Sequence, residues 1–347
     1  AELEAQSPAF KGSLYALKGN LRALSEKQRF IDSDLNRMWR MKPNMVDLQE
    51  VPNVYERKEM TALHEMVMEI IDQRDGPIVF LDLHTTSSES PPFILIGDTL
   101  RNRKFVSGFP VPKVLGLEEQ LNGPFLSYLN VLGHISIGFE AGQHDAEISV
   151  DNHYALLWMI LEKAGCMKAE DIPKLKAHYD FLSQQSPAGL KNFFEVRYRH
   201  GIEPSHQFRM KPGYDNFQKV EKGETLAENK GGPVNSNWDG RVFMPLYQSQ
   251  GDDGFFIIRR IPKFSLVVSK MMRTLKLHKV LPWFPGIQKH PEHEGSIIVR
   301  PNALRRFGPG LLNLFGYRRR ARTGETFHYI KRGFDLHGPA PIDEFPK

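Results

Sequence analysis

The sequence predicts an α/β first domain followed by a smaller, mainly β second domain. Three observations carry that prediction. Short apolar runs alternate with amphipathic helical segments up to about residue 186. Beyond that point, period-two alternation and glycine-rich spacers take over. The length of 347 residues, 40% hydrophobic and 25% charged, suits two domains at roughly 100–200 residues each. The single cysteine, Cys166, can form no internal disulfide, and one thiol fits a reducing compartment. The longest uninterrupted apolar run, Tyr154 to Leu161, falls far short of the ~20 residues that span a bilayer. Collagen, a disulfide scaffold, bulk disorder and an integral membrane protein are excluded, leaving a cytoplasmic globular protein.

The elements follow in order. Met60 to Ile71 sets Ala62, Met66, Met68, Ile70 and Ile71 among polar residues, the pattern of an amphipathic helix. Ile78 to Leu83 is a short apolar run suited to a buried strand. Phe93–Ile96, after Pro91-Pro92, and Ile135–Phe139 repeat that pattern. Helices are expected at about 153–163 and 171–183. Near Ser186-Pro187 the texture changes, and Phe194 to Tyr198 alternates with period two. The boundary is therefore placed at 188/189, giving a catalytic-type domain over 1–188 and a β-rich domain over 189–347.

Charge is unevenly spread. The formal net charge is +5, but Phe255 to Lys347 holds 18 Lys/Arg against 6 Asp/Glu, so the first 254 residues are acidic. An acidic body with a basic tail and no recognisable module argues against nucleic acid. Within the tail, Phe264, Val267, Val268, Met271, Met272 and Leu275 fall at helical spacing, opposite Lys263, Ser269, Lys270, Arg273 and Lys276. This predicts a basic amphipathic helix over about 263–281, ended by Pro282. Its apolar stripe is expected to pack on the β-rich domain, with membrane-surface or partner docking as the alternative. A second basic cluster, Arg318-Arg319-Arg320-Ala321-Arg322, reads as a solvated face.

Several catalytic patterns are absent: G-x-S-x-G, the P-loop, H-E-x-x-H and a strand-linked G-x-G-x-x-G. Three segments stand out instead. Arg29 to Arg37 (RFIDSDLNR) offers two guanidinium forks and Asn36, groups that bind carboxylates, although surface ion pairs would use the same residues. Asp82-Leu83-His84 lies where a buried strand ends, the place where α/β sheets hold ligands. His84 there suits either a metal or an ordinary strand-end turn. Glu140, flanked by glycines after an apolar strand, is placed for desolvation to raise its pKa and make it a base.

Together the segments resemble the succinylglutamate desuccinylase/aspartoacylase family, relatives of the zinc carboxypeptidases. Ala16 to Ala23 is similar to its strand and G-N-x-x-A turn, and Gly223 to Ala227 with Trp238 to Pro245 to its small β domain. The resemblance covers roughly residues 10 to 260 and implies a zinc carboxypeptidase-like mixed sheet flanked by helices. It further implies one zinc ion per chain with His84 as a ligand, Glu140 as general base, and Arg29, Asn36 and Arg37 holding the substrate. Arg29 would also polarise the scissile carbonyl. The implied reaction is hydrolysis of an amide in a small carboxylate-bearing substrate, an N-acyl amino acid.

Two departures qualify that expectation. The family draws its first two zinc ligands from an upstream H-x-x-E motif, and residues 1 to 28 contain no histidine. The expectation is that this motif precedes Ala1. A metal-free binding relative, docking a metabolite, membrane or partner, is the alternative. His290-Pro291-Glu292-His293 is a minor candidate for replacement ligands. The second departure is that Tyr128 to His134 lacks the additional arginine of the aspartoacylase branch, which speaks against N-acetylaspartate.

Overall fold

The computed structural model describes residues 9–39, 41–42, 45–46, 54–74, 76–248 and 251–339. These gather into two compact units. The first comprises the described residues up to Gly97 and from Phe105 to Arg260; the second comprises Asp98–Lys104 and Ile261–Gly338.

The first unit is built on one eight-stranded sheet. Its strands are β1 (Val79–Thr86), β2 (Phe93–Ile96), β3 (Lys113–Leu115), β4 (Ile135–Gln143), β5 (Phe193–Gly201), β6 (Lys219–Val220), β7 (Gly240–Phe243) and β8 (Asp253–Arg260), in the order β1-β4-β2-β3-β5-β8-β7-β6. The sheet is mixed: β1 runs parallel to β4, β2 to β3 and β3 to β5, while β2–β4, β5–β8, β8–β7 and β7–β6 are antiparallel. Strand β4 is buried from Ile135 to Gly142, as expected for a strand covered on both faces. Among the described residues β1 is the edge, and Leu83 on it is exposed.

Four helices flank this sheet: α1 (Tyr55–Asp72), α2 (Phe125–Leu132), α3 (Glu147–Lys163) and α4 (Leu175–Gln185). Helix α1 buries Met60 and Val67 in a cluster with Trp39, Tyr128 and Leu129. Helix α2 stops at Gly133, whose φ of 86° is the left-handed conformation that glycine adopts without a Cβ penalty.

The boundary expected at 188/189 is corrected by this sheet. Strand β5 pairs parallel with β3 and antiparallel with β8, so the chain after Ser186-Pro187 returns to the same core. Phe93 on β2 meets Phe217 and Phe243 edge-to-face at 5.3 and 5.0 Å, in a cluster that also holds Phe194 and Phe256. Pro187 marks the end of α4, and the units divide at Arg260–Ile261 instead.

The second unit contains the smaller antiparallel sheet: β9 (Ile287–Lys289), β10 (Ser296–Val299), β11 (Tyr317–Thr323) and β12 (Thr326–Lys331), in the order β9-β10-β12-β11. Helix α5 runs only over Lys263–Thr274, shorter than the expected 263–281. Lys276 takes a left-handed φ of 54°, and a 3₁₀ turn over Leu277–Trp283 follows with Pro282 inside it. The face of α5 also differs from the expected one. Ser269 and Arg273 are the buried residues, and of the apolar stripe only Met272 packs against the core cluster and Val268 is half-buried, whereas Phe264, Val267, Met271 and Leu275 are exposed. The reason is the guanidinium of Arg273, which bonds to Asp98, Asn313, Leu314 and Asp335 inside the unit. Those acceptors satisfy all of its N–H directions, so a charged side chain is stable where an apolar one was expected.

Candidate active site

The arginine segment has no helical or strand period, and its shape comes from a carboxylate elsewhere in the chain. Glu56, fully buried in the first turn of α1, accepts hydrogen bonds from the backbone N–H of Ile31 (2.6 Å), Asp32 (3.2 Å) and Ser33 (3.1 Å). Burial pushes this carboxyl up, but those N–H donors outweigh it and the net shift is downward. Asp32 returns the favour by accepting from Tyr55 N at 2.8 Å, at the start of α1. The chain then enters a 3₁₀ turn over Leu35–Arg37, capped by Asp34 through Asn36 N at 2.9 Å. Gly123 lets α2's approach pack against this turn: Trp39 N donates to Gly123 O at 3.0 Å, and a Cβ at Gly123 would lie 2.6 Å from Arg37 O.

Arg29, Asn36 and Arg37 each already hold a neighbouring group. Arg29 donates through Nε and Nη2 to Asp34 Oδ2 at 3.1 and 2.9 Å. Asn36 Oδ1 accepts from Phe125 N at 2.8 Å and so caps α2, which leaves Nδ2 as the donor open to a ligand. Arg37 donates to Asn36 O at 2.9 Å and lies 3.8 Å from Asp253 Oδ2.

The other two segments meet through strand register. Strands β1 and β4 are parallel neighbours with His84 opposite Glu140, so the two residues sit side by side near the end of the pairing, two and three residues before their strands end. Asp82, two residues before His84 and on the same face, places Oδ2 3.0 Å from His84 Nε2. That carboxylate is the main reason the imidazole is pushed up to about 9. The backbone carbonyl of His84 accepts from His153 Nε2 of α3 at 3.1 Å. Glu140 is 5% exposed and its Oε2 is buried without a hydrogen-bond partner. Desolvation pushes its carboxyl up to about 7, with Asp82 adding to the shift while His84 and Arg29 oppose it.

One cavity of about 1310 Å³ in the first unit is lined by Arg29, Asn36, Arg37, His84 and Glu140 together. The structure thus brings all five residues singled out in the sequence to one place. It adds Asp253 and His153 to the lining, and Asp34 as the partner of Arg29. Glu56, behind the lining, carried no sequence signal, since an acid in the first turn of a helix is usually solvated.

The expected zinc can be tested against these donors. Around the cavity the described residues offer His84, paired with Asp82, and an unpartnered carboxylate oxygen of Glu140; His153 Nε2 is spent on the His84 carbonyl and His144 Nδ1 on the Thr85 hydroxyl. Among the described residues, no group of three or more His, Cys, Asp or Glu is arranged to hold a metal ion. A catalytic zinc takes three protein ligands, so the residues described do not by themselves make its site. His290 and His293, the candidate replacements, lie in the second unit with ring centroids 4.5 Å apart. Cys166 is half-buried, and burial pushes its thiol up, which fits a packing role.

Fold and site define an α/β protein with a histidine and a buried glutamate side by side on adjoining strands, in a cavity that arginines also line. Residues 3–154 match the family model described as the succinylglutamate desuccinylase/aspartoacylase catalytic domain. The match spans less than half of the chain. No curated protein matches the sequence. Among solved structures, the chain is similar to a succinylglutamate desuccinylase/aspartoacylase from Rhodobacter sphaeroides, at 17% identity over 70% of this chain and 74% of that one, with a TM-score of 0.49. It is similar to a succinylglutamate desuccinylase from Chromobacterium violaceum at 14% identity, covering 70% and 72%, with a TM-score of 0.47. Murine aminoacylase 3 shares 13% identity over 75% of this chain and 88% of its own, with a TM-score of 0.45.

Proposed function

We propose that this cavity is the active site of a deacylase that hydrolyses the amide of a small carboxylate-bearing substrate, an N-acyl amino acid. The observation that carries the reading is Glu140: buried, with one oxygen unpartnered and its carboxyl pushed up to about 7, beside His84 and facing a cavity that Arg29 and Arg37 also line. A carboxyl poised near neutrality can take a proton from water and later give it to the departing amine. Arg29 and Arg37 would hold the substrate carboxylate or the developing oxyanion by charge-assisted hydrogen bonds, with Asn36 Nδ2 adding direction.

The family match supports the deacylase class, and zinc dependence is the finer part of this proposal. His84 would be one ligand, and two more donors would have to come from residues other than those described. Glu140→Gln, which keeps the shape but removes the base, should lower turnover of N-acyl amino acids by about 10²–10⁴-fold. Full turnover in that variant would remove Glu140 from the role. Arg29→Gln should raise KM and lower kcat together, because Arg29 is assigned to substrate binding as well as to the carbonyl. Metal analysis of the full-length protein decides the zinc: about one ion per chain is expected, and it should persist in Glu140→Gln.

A further inference from the structure

Helix α5 carries four of the six residues of its apolar stripe outward, while Met272 packs against the core of the unit. Phe264, Val267, Met271 and Leu275 are 76%, 64%, 53% and 62% exposed, and at 100° per residue they fall within one quadrant of the helix. Trp283, at the end of the following 3₁₀ turn, is 82% exposed, and Phe284 beside it is also exposed. The opposite side is pinned to the unit by polar bonds. Ser269 Oγ donates to Leu314 O at 2.9 Å, and Arg273 reaches Leu314 O at 3.2 Å and Asn313 O at 2.7 Å. The helix is therefore held in this orientation by its own anchors and cannot roll its stripe inward without stranding a buried guanidinium.

The charges around the stripe have one sign. Lys263 and Lys270 flank it along the helix, and Lys276 and Lys279 follow in the next turn, all exposed. Between Asp253 and Glu292 the sequence has no Asp or Glu at all. Large exposed apolar side chains rimmed by cations, with a tryptophan at the margin, match what an anionic lipid surface accepts: apolar groups enter the acyl boundary, lysines reach the headgroups, and the indole sits at headgroup level. A second copy fits less well, because covering the stripe with itself would bring the two lysine rows together. No described helix is long and apolar enough to cross a membrane, so the contact would be peripheral.

We propose that α5 and the turn to Phe284 form a docking surface for an anionic membrane. The test is co-sedimentation of the full-length protein with vesicles of phosphatidylcholine alone and of phosphatidylcholine with phosphatidylglycerol. Binding is expected to the anionic vesicles only, and it should weaken as salt shortens the Debye length from about 10 Å at 0.1 M. Val267→Glu with Met271→Glu should weaken binding about tenfold or more while far-UV CD stays unchanged. Should that pair disturb folding, Lys263→Glu with Lys270→Glu serves the same purpose from the rim. Absence of binding to anionic vesicles, or equal binding by correctly folded variants, would overturn the proposal. So would a lipid-free dimer that the same substitutions dissociate, since the occupant would then be a second copy.

Discussion

Glu56 lies outside the cavity lining, yet it holds the backbone from which Arg29 and Arg37 project. Its two oxygens take N–H groups of Ile31, Asp32 and Ser33, and Asn20 Nδ2 at 3.3 Å. Glu56→Gln would place an NH₂ against N–H donors and leave at least one of them unpaired in a buried site. The expected cost is about 2–3 kcal/mol of stability. The same change should make tryptic cleavage after Arg29 and Arg37 faster, which limited proteolysis followed by mass spectrometry would read. An unchanged melting temperature and unchanged cleavage would show that the loop holds itself. His84 and Glu140 could be placed near strand ends from sequence because each follows a short, mainly apolar run, a local signal. Glu56 could not, because its backbone partners lie 23 to 25 residues away and nothing in residues 54–60 marks it as buried.

At the scale of elements, the alternation of strand and helix was legible wherever one face of an element meets the core. The boundary near 188 misled because a local change of texture coincides with a helix end, whereas the sheet continues through β5. Helix α5 misled for a different reason. Periodicity gives the stripe but not the side it faces, and here buried acceptors for Arg273 decide the side. Those acceptors include Asp98, whose carboxylate bonds to Arg103 and Arg273 and lies 3.3 Å from Arg332. Burial pushes Asp98 up, but the three guanidinium groups prevail and hold it far below the ordinary value of 3.8. A depressed carboxyl contributes stability that is complete above its unfolded value and is lost as pH falls below it towards the folded one. The second unit should therefore lose stability progressively below about pH 4. Asp98→Asn should flatten that acid limb and cost about 3–5 kcal/mol at neutral pH, because a buried ion pair loses one partner. Denaturant melts from pH 2 to 7 check both; an equally steep acid limb in the variant would assign the effect to other carboxyls.

For the whole molecule, the basic character of the C-terminal quarter is a folding problem with a specific solution. Residues 261–338 hold 15 Lys/Arg and only 4 Asp/Glu. Of those acids, Asp335 is buried, where it accepts from Arg273 and from Leu100 N. The second carboxylate that Arg273 and Arg332 share, Asp98, is delivered by Asp98–Lys104, a segment inserted into the sequence of the first unit. Contiguity in sequence therefore does not define this unit, which is why composition found the charge asymmetry but not the division of the chain. Residues 261–338 expressed alone would bury Arg273 with half of its anionic partners missing. An uncompensated buried guanidinium costs several kcal/mol, comparable to the whole stability of a domain this small. The fragment should accordingly lack a cooperative melt and sharp near-UV CD. Joining residues 97–105 to it through a flexible linker should restore both, and the same linker fusion carrying Asp98→Asn should not. A cooperative transition in the fragment alone would show that Asp335 suffices and that the inserted segment is dispensable.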